Sequence, residues 1–315
     1  MIDRYIAYIR DVRRYSERTQ ILYRGALENF ERWAGGDAVF NLIPSRLREY
    51  EGHLIEEGIS PRTVHLHMSA LSGFCNFLMK EGVITSNPAR SVRRPKMGKR
   101  LPEYVTDNSL EAYFADTAHA ASEDELTLLA SASDKLFAEL YRRRLRRLII
   151  LLLYTTGIRR AELLSLTVGS VNMERKTLRV RGKGDKMREI PLVDSTTQEI
   201  SLYLQAASMA DGARTKDSPL LVTEKGDHLY PEYIDRAVKQ ELGNAGIPGK
   251  KSPHVLRHSL ATALLNEGAD LEAIKQMLGH ANLAATEVYT HNSVERLKTQ
   301  YINAHPRAKK GESHD

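Results

Sequence analysis

Apolar positions recur every three or four residues through the first ninety residues, and this spacing predicts helices throughout. Residues 19 to 34 place Leu22, Ala26, Phe30 and Trp33 on one face, and Gly35-Gly36 ends that helix. Ser45 and Ser60 stand where N-caps are expected, the second reinforced by Pro61 at the first helical position. From there Val64, Met68, Leu71, Cys75 and Leu78 form one apolar stripe of a helix ending near Gly82, which makes Cys75 a predicted core residue. The opposite face carries Arg62, His65 and His67, a pattern compatible with a solvated surface or with phosphate contacts.

Beyond residue 103 the pattern changes. Residues 135 to 154 read as a helix in which Arg142, Arg143, Arg144, Arg146 and Arg147 lead into the apolar run Leu148 to Tyr154. Those arginines are equally readable as ligands of a polyanion or as a solvated face. Residues 176 to 181 and 187 to 193 alternate as strands do, Leu178 and Val180 answered by Ile190 and Leu192 across a turn rich in Gly and Asp. Lys183 falls at the tip of that predicted hairpin. Leu256, Leu260 and Leu264 mark a buried stripe beside His254 and Arg257, which share a face if the segment is helical. Asp270 is predicted to cap a helix with Leu271, Ile274, Met277 and Leu278 inward and Gly279 at its end, leaving His280 where the dipole favours a protonated ring. The expected fold is mainly α with a small β-hairpin, in the α+β class.

Residues 1–90 are expected to form a helical domain and residues 103–315 a second domain. Between them residues 91–102, with two prolines and five cations, read as a basic linker. A length of 315 residues allows two domains with real cores, and 42% hydrophobic with 27% charged residues describes a globular chain, not a disordered or fibrous one. The balance of 46 Lys and Arg against 40 Asp and Glu, a formal +6 with a pI near 9.2, suits a polyanionic partner. Cys75 alone excludes an internal disulfide, the start Met1-Ile2-Asp3-Arg4 lacks a signal-peptide pattern, and Leu148 to Tyr154 is too short to span a bilayer. A cytoplasmic protein without membrane attachment is expected.

Six residues in short motifs carry candidate chemistry: Arg159, Lys183, His254, Arg257, His280 and Tyr289. Guanidinium groups fork onto phosphate oxygens, so Arg159 and Arg257 together suit both non-bridging oxygens of one phosphodiester. Tyr289 is the one plausible nucleophile. Its phenol, with a reference pKa of about 10, needs a proton acceptor, for which His254 and His280 are candidates. Lys183, between two glycines, is the natural general acid for a leaving sugar oxygen. The set requires no metal and no cofactor.

Thr156-Gly157-Ile158-Arg159-Arg160-Ala161-Glu162-Leu163, Gly182-Lys183-Gly184-Asp185-Lys186-Met187-Arg188, Ser252-Pro253-His254-Val255-Leu256-Arg257-His258, and Leu278-Gly279-His280 with Tyr289 nine residues later resemble, in order, the motifs of the tyrosine recombinase (phage integrase) family. The ending Glu295-Arg296-Leu297-Lys298 through Ala304-His305-Pro306-Arg307-Ala308 is similar to its Xer branch, which resolves chromosome dimers. The resemblance implies an N-terminal helical, SAM-like core-binding domain and a mixed, mainly helical catalytic domain, forming a C-shaped clamp on double-stranded DNA. It also implies a 3′-phosphotyrosyl intermediate at Tyr289 and no cofactor. The implied partners are a homotetramer, or a heterotetramer with a paralogous recombinase, on paired sites, and a septal DNA translocase as activator. The apolar stripe Val294, Leu297, Tyr301 and Ala304 is expected to dock on a neighbouring protomer, docking on its own domain being the other reading.

One departure from the family pattern is the long acidic stretch 103 to 134, with Glu103, Asp107, Glu111, Asp116, Glu123, Asp124, Glu125 and Asp134. It is expected to form extra helices away from the DNA, whose phosphates repel it. Glu162, one turn after Arg159, is expected to orient an arginine. Other readings are an integrase of a mobile element, a relaxing topoisomerase, a metal-dependent nuclease, and a helix-turn-helix regulator using residues 270 to 290. The nuclease lacks a carboxylate cluster in the motif set, and the regulator leaves Arg159 and Lys183 unexplained.

Overall fold

The computed structural model describes residues 1–36, 38–92, 104–182, 185–279 and 301. The chain divides into two compact units, Met1–Leu101 and Pro102–Asp315. Residues 93–102 of the expected basic linker lie outside the described residues.

The first unit is helical: α1 (Ile2–Asp11), α2 (Glu17–Ala34), α3 (Pro44–Glu56) and α4 (Pro61–Lys80). Ser60 caps α4 by accepting from the Thr63 N–H. Gly35 ends α2 in the left-handed conformation at φ 75°. The α4 stripe is buried as the periodicity requires, Cys75 included, and burial pushes its thiol up to about 11. Aromatic rings close this core: Tyr5 of α1 meets Phe74 at 5.5 Å, and Phe30 meets Tyr50 at 5.0 Å.

Three expectations change here. Ser45 does not cap α3, because Pro44 takes the first helical position and leaves Ile43 as N-cap. Leu22 is exposed, and Leu27 joins Ala26 and Phe30 inside instead. His67 is half-buried, with its Nδ1 2.7 Å from the Tyr50 hydroxyl, so this face of α4 is partly spent on internal bonds.

The second unit begins with α5 (Asp107–Asp116) and α6 (Glu123–Ala130), which pack around the central helix α7 (Asp134–Thr156). Every residue from Leu148 to Thr156 is buried. The arginines before that run meet carboxylates and carbonyls of the same unit. Arg147 forks onto Glu199 at 3.0 and 2.8 Å and donates to the Phe114 carbonyl at 2.8 Å. Arg143 and Arg144 pair with Glu125, while Arg142 and Arg146 lie 3.6 Å from Glu224 and Glu241. Part of the acidic stretch therefore neutralises α7 from within the same unit, and Asp107 accepts from the Tyr154 hydroxyl.

After α7 come α8 (Arg160–Leu164) and an antiparallel sheet in the order β1 (Val171–Asn172), β2 (Thr177–Arg181), β3 (Met187–Pro191). Leu178 pairs with Ile190 as expected, but Val180 faces Arg188, and Leu192 lies past the ladder. Then follow α9 (Asp194–Asp211), α10 (Pro231–Asn244), α11 (Pro253–Asn266) and α12 (Leu271–Leu278). Leu271 points outward at 51% exposure, since the first turn of α12 projects past the core that holds Ile274, Met277 and Leu278. Tyr301 is buried in this unit and its hydroxyl donates to the Thr155 carbonyl, so this residue of the predicted stripe docks on its own unit, while Val294, Leu297 and Ala304 lie outside the described residues. No described helix is long and apolar enough to cross a membrane.

Candidate active site

The site gathers where four chain segments meet: the turn from α7 to α8, strand β3, helix α11, and the end of α12. Gly157 ends α7 at φ 60°, and a Cβ there would lie 2.5 Å from Leu278 Cδ2 and 3.0 Å from Leu260 Cδ2. Only glycine satisfies both the left-handed backbone and that approach. Two residues on, Arg159 is the N-cap of α8, and Glu162 turns back to accept its backbone N–H at 2.8 Å. This is half of a capping box. Glu162 Oε1 also accepts from Arg159 Nη1 at 2.8 Å, so Glu162 does orient this arginine.

A helix leaves its last carbonyls without intrahelical partners and carries negative charge there. At the end of α12 three guanidinium groups take those carbonyls. Arg188 Nε donates to Met277 O at 2.9 Å, Arg257 Nη2 donates to Leu278 O, and Arg159 Nη2 donates to Gly279 O at 2.9 Å. Arg257 Nη1 donates in addition to Gly157 O, tying the end of α7 to the end of α12. Gly279 closes α12 at φ 65°, as the sequence predicts.

Burial pushes the Arg257 guanidinium down to about 10, helped by the charge of Arg159 and opposed by Glu162, so it stays cationic at neutral pH. Burial pushes the Glu162 carboxyl up, but hydrogen bonds from Arg188 and from the N–H and side chain of Arg159, with the charge of Arg188, outweigh it. The carboxyl is held below the usual glutamate range. Arg159 keeps 35% of its side chain exposed while Arg257 is 8% exposed, so the pair offers one open and one recessed guanidinium.

His254 lies in the first turn of α11, exposed, three residues before the buried Arg257. Both belong to one helix, yet they differ in depth. Lys183, His280 and Tyr289 lie outside the described residues; their chain neighbours Gly182 and Gly279 flank the cluster. Residues 283 to 290, the recognition helix of the regulator reading, lie outside as well.

Arg188 is the residue that motif reading missed. It is buried, with 6% of its surface exposed, and Nη1 and Nη2 grip both oxygens of Glu162 at 3.1 and 2.7 Å. A signal was present: Arg188 stands two residues from Ile190 on an alternating strand, so it had to point inward, where a cation requires a carboxylate.

Residues 121–296 match the model of the phage integrase family, and residues 2–82 match that of the phage integrase N-terminal SAM-like domain. This chain belongs to the phage integrase family. It is a tyrosine recombinase, an enzyme class that cuts and rejoins DNA. A tyrosine recombinase XerC of Chlorobaculum parvum is 31% identical over 320 residues, covering 98% of this chain and 94% of its own. One from Listeria innocua is 33% identical over 310 residues, covering 97% of each. Among solved structures, a lambda integrase dimer bound to a core site superposes with a TM-score of 0.63 at 19% identity, covering 100% of this chain and 78% of that one. At that identity the likeness concerns the fold, which is mainly helical with a small antiparallel sheet in both the expectation and the structure.

Proposed function

We propose that this recombinase is of the Xer type, resolving chromosome dimers at a specific site in the cytoplasm, and that its six motif residues carry the chemistry. The phenolic oxygen of Tyr289 attacks the phosphorus of one phosphodiester and forms a 3′-phosphotyrosyl bond. The 5′-oxygen leaves with a proton from Lys183, and the phenol's proton passes to His254 or His280. Attack by the 5′-hydroxyl of a partner strand reverses the step and releases Tyr289, so rejoining needs no external energy source.

The observation that supports this most is the arginine cluster itself. Each guanidinium has five N–H donors. The bonds described use two from Arg159 and two from Arg257, which leaves donors for the non-bridging oxygens of a phosphate. Charge that builds on phosphorus would meet donors already fixed by a helix end, so little reorganisation is required. We further propose that two dimers pair two sites, with a second copy or a paralogue as partner and a septal translocase as activator, in line with the full-length likeness to XerC proteins.

The test uses a nicked suicide duplex carrying the target site. Wild type is expected to accumulate a covalent protein–DNA adduct, and Tyr289→Phe is expected to bind the same duplex with unchanged Kd and give none. An adduct formed by the Phe variant sinks the assignment of the nucleophile.

A further inference from the structure

We infer that Arg188 is a positioning residue that holds three catalytic elements in one arrangement: the Arg159 side chain, the hairpin carrying Lys183, and the helix end that leads into His280. The inference rests on the recombinase reading of the site. Its basis is the way one buried guanidinium spends its donors.

Arg188 belongs to β3 and pairs with Val180 of β2, so its backbone moves with the hairpin. Its Nη groups hold both oxygens of Glu162, the carboxylate that also accepts from the side chain and the backbone N–H of Arg159. Its Nε holds Met277 O in the last turn of α12. A Cβ on Gly182 would lie 3.3 Å from Arg188 Nη1, and one on Gly279 would lie 3.2 Å from the same atom. Gly182 directly precedes Lys183, and Gly279 directly precedes His280. The guanidinium is thus wedged between the two backbone segments that deliver the general acid and a histidine, while it fixes the anchor of the first arginine.

A planar fork can serve these directions at once, and a lysine ammonium, a point charge on a flexible stem, cannot. Lysine at this position keeps the charge and loses the geometry, which separates positioning from electrostatics. Arg147 provides the comparison: it is equally buried and forks onto Glu199, but it joins α5, α7 and α9 and touches none of the motif segments.

The experiment measures single-turnover cleavage of the nicked duplex by the full chain, with oxygen or sulfur at the 5′ leaving position, alongside DNA Kd and Tm. Arg188→Lys is expected to cut about 10- to 100-fold more slowly at unchanged Kd, the range seen when an outer support of a reacting group is removed. Sulfur leaves without a proton, so its deficit should be smaller than that on oxygen. Arg147→Lys should cut at the wild-type rate even where its Tm falls as far.

Equal slowing by Arg147→Lys at matched Tm, or the same Arg188→Lys deficit on both substrates, overturns the inference. Should Arg188→Lys not fold, Gly182→Ala displaces the guanidinium without removing any charge. Slow cleavage at unchanged Tm supports the inference, and wild-type cleavage overturns it. No adduct from wild type would overturn the recombinase reading and this inference with it, whereas an active wild type with an unimpaired Arg188→Lys overturns this inference alone.

Discussion

At the scale of single residues, the site is governed by one carboxylate. Glu162 is buried between two arginines, and its ionised form is the one that both of them bind. Its folded pKa is depressed, so the stability it contributes is fully present above the ordinary glutamate value of about 4.3 and is lost as pH falls through the lower folded value. Glu162→Gln, which leaves Arg188 without a counter-charge, is expected to cost about 3–5 kcal/mol at pH 7. Urea unfolding of wild type and variant from pH 7 to pH 3 should show that difference constant down to about pH 5 and shrinking below about 4.3. A difference that widens on acidification would mean the carboxyl is protonated in the native site. Arg159, Arg257 and Glu162 were legible because each stands in a short motif whose chemistry is local. Arg188 was not, because its meaning depends on Glu162, twenty-six residues away, and on Met277, eighty-nine away.

At the scale of elements, periodicity predicted α4, the β2–β3 hairpin and α12 because each buries one face, and burial of one face is what the 3.6- and 2-residue periods encode. Element ends were read less well: a proline at the first position overrode the serine cap of α3, and Leu271 sits in a first turn that the described residues leave exposed. The arginine run of α7 shows where reading the sequence stops. A run of cations carries the same pattern whether its partners are phosphates or carboxylates, and here the partners Glu199, Glu224 and Glu241 arrive from segments far along the chain. The consequence is measurable. Arg147→Ala should destabilise the protein by about 3–5 kcal/mol, having broken a buried pair. Arg142→Ala, at a half-exposed pair, should cost less than about 1 kcal/mol. Neither change should alter the salt dependence of DNA binding. A fall of about one in the slope of log K against log salt for Arg142→Ala would make it a phosphate ligand after all.

At the scale of the whole molecule, Tyr289, the proposed nucleophile, falls in the sequence between two described residues that are each held in the second unit. Tyr289 follows Gly279 by ten positions and precedes Tyr301 by twelve. Gly279 is held by Arg159, and Tyr301 is held by the core of the second unit and by Thr155 O, a carbonyl in the last turn of α7 that has no partner within its own helix. Docking of Tyr301 on its own domain makes that side chain part of the fold of a single chain. Tyr301→Ala should then lower stability by about 3–5 kcal/mol, the usual cost of deleting a buried aromatic ring. The loss should appear in the isolated protein and be the same across a hundredfold range of protein concentration. Docking on a neighbour predicts the reverse, because a fold completed by a second copy gains stability by mass action and melts higher as concentration rises. A Tm of wild type that climbs with concentration while that of Tyr301→Ala stays flat, the two converging on dilution, would replace the intrachain contact with an exchanged one. It would also make the placement of Tyr289 a property of the assembly.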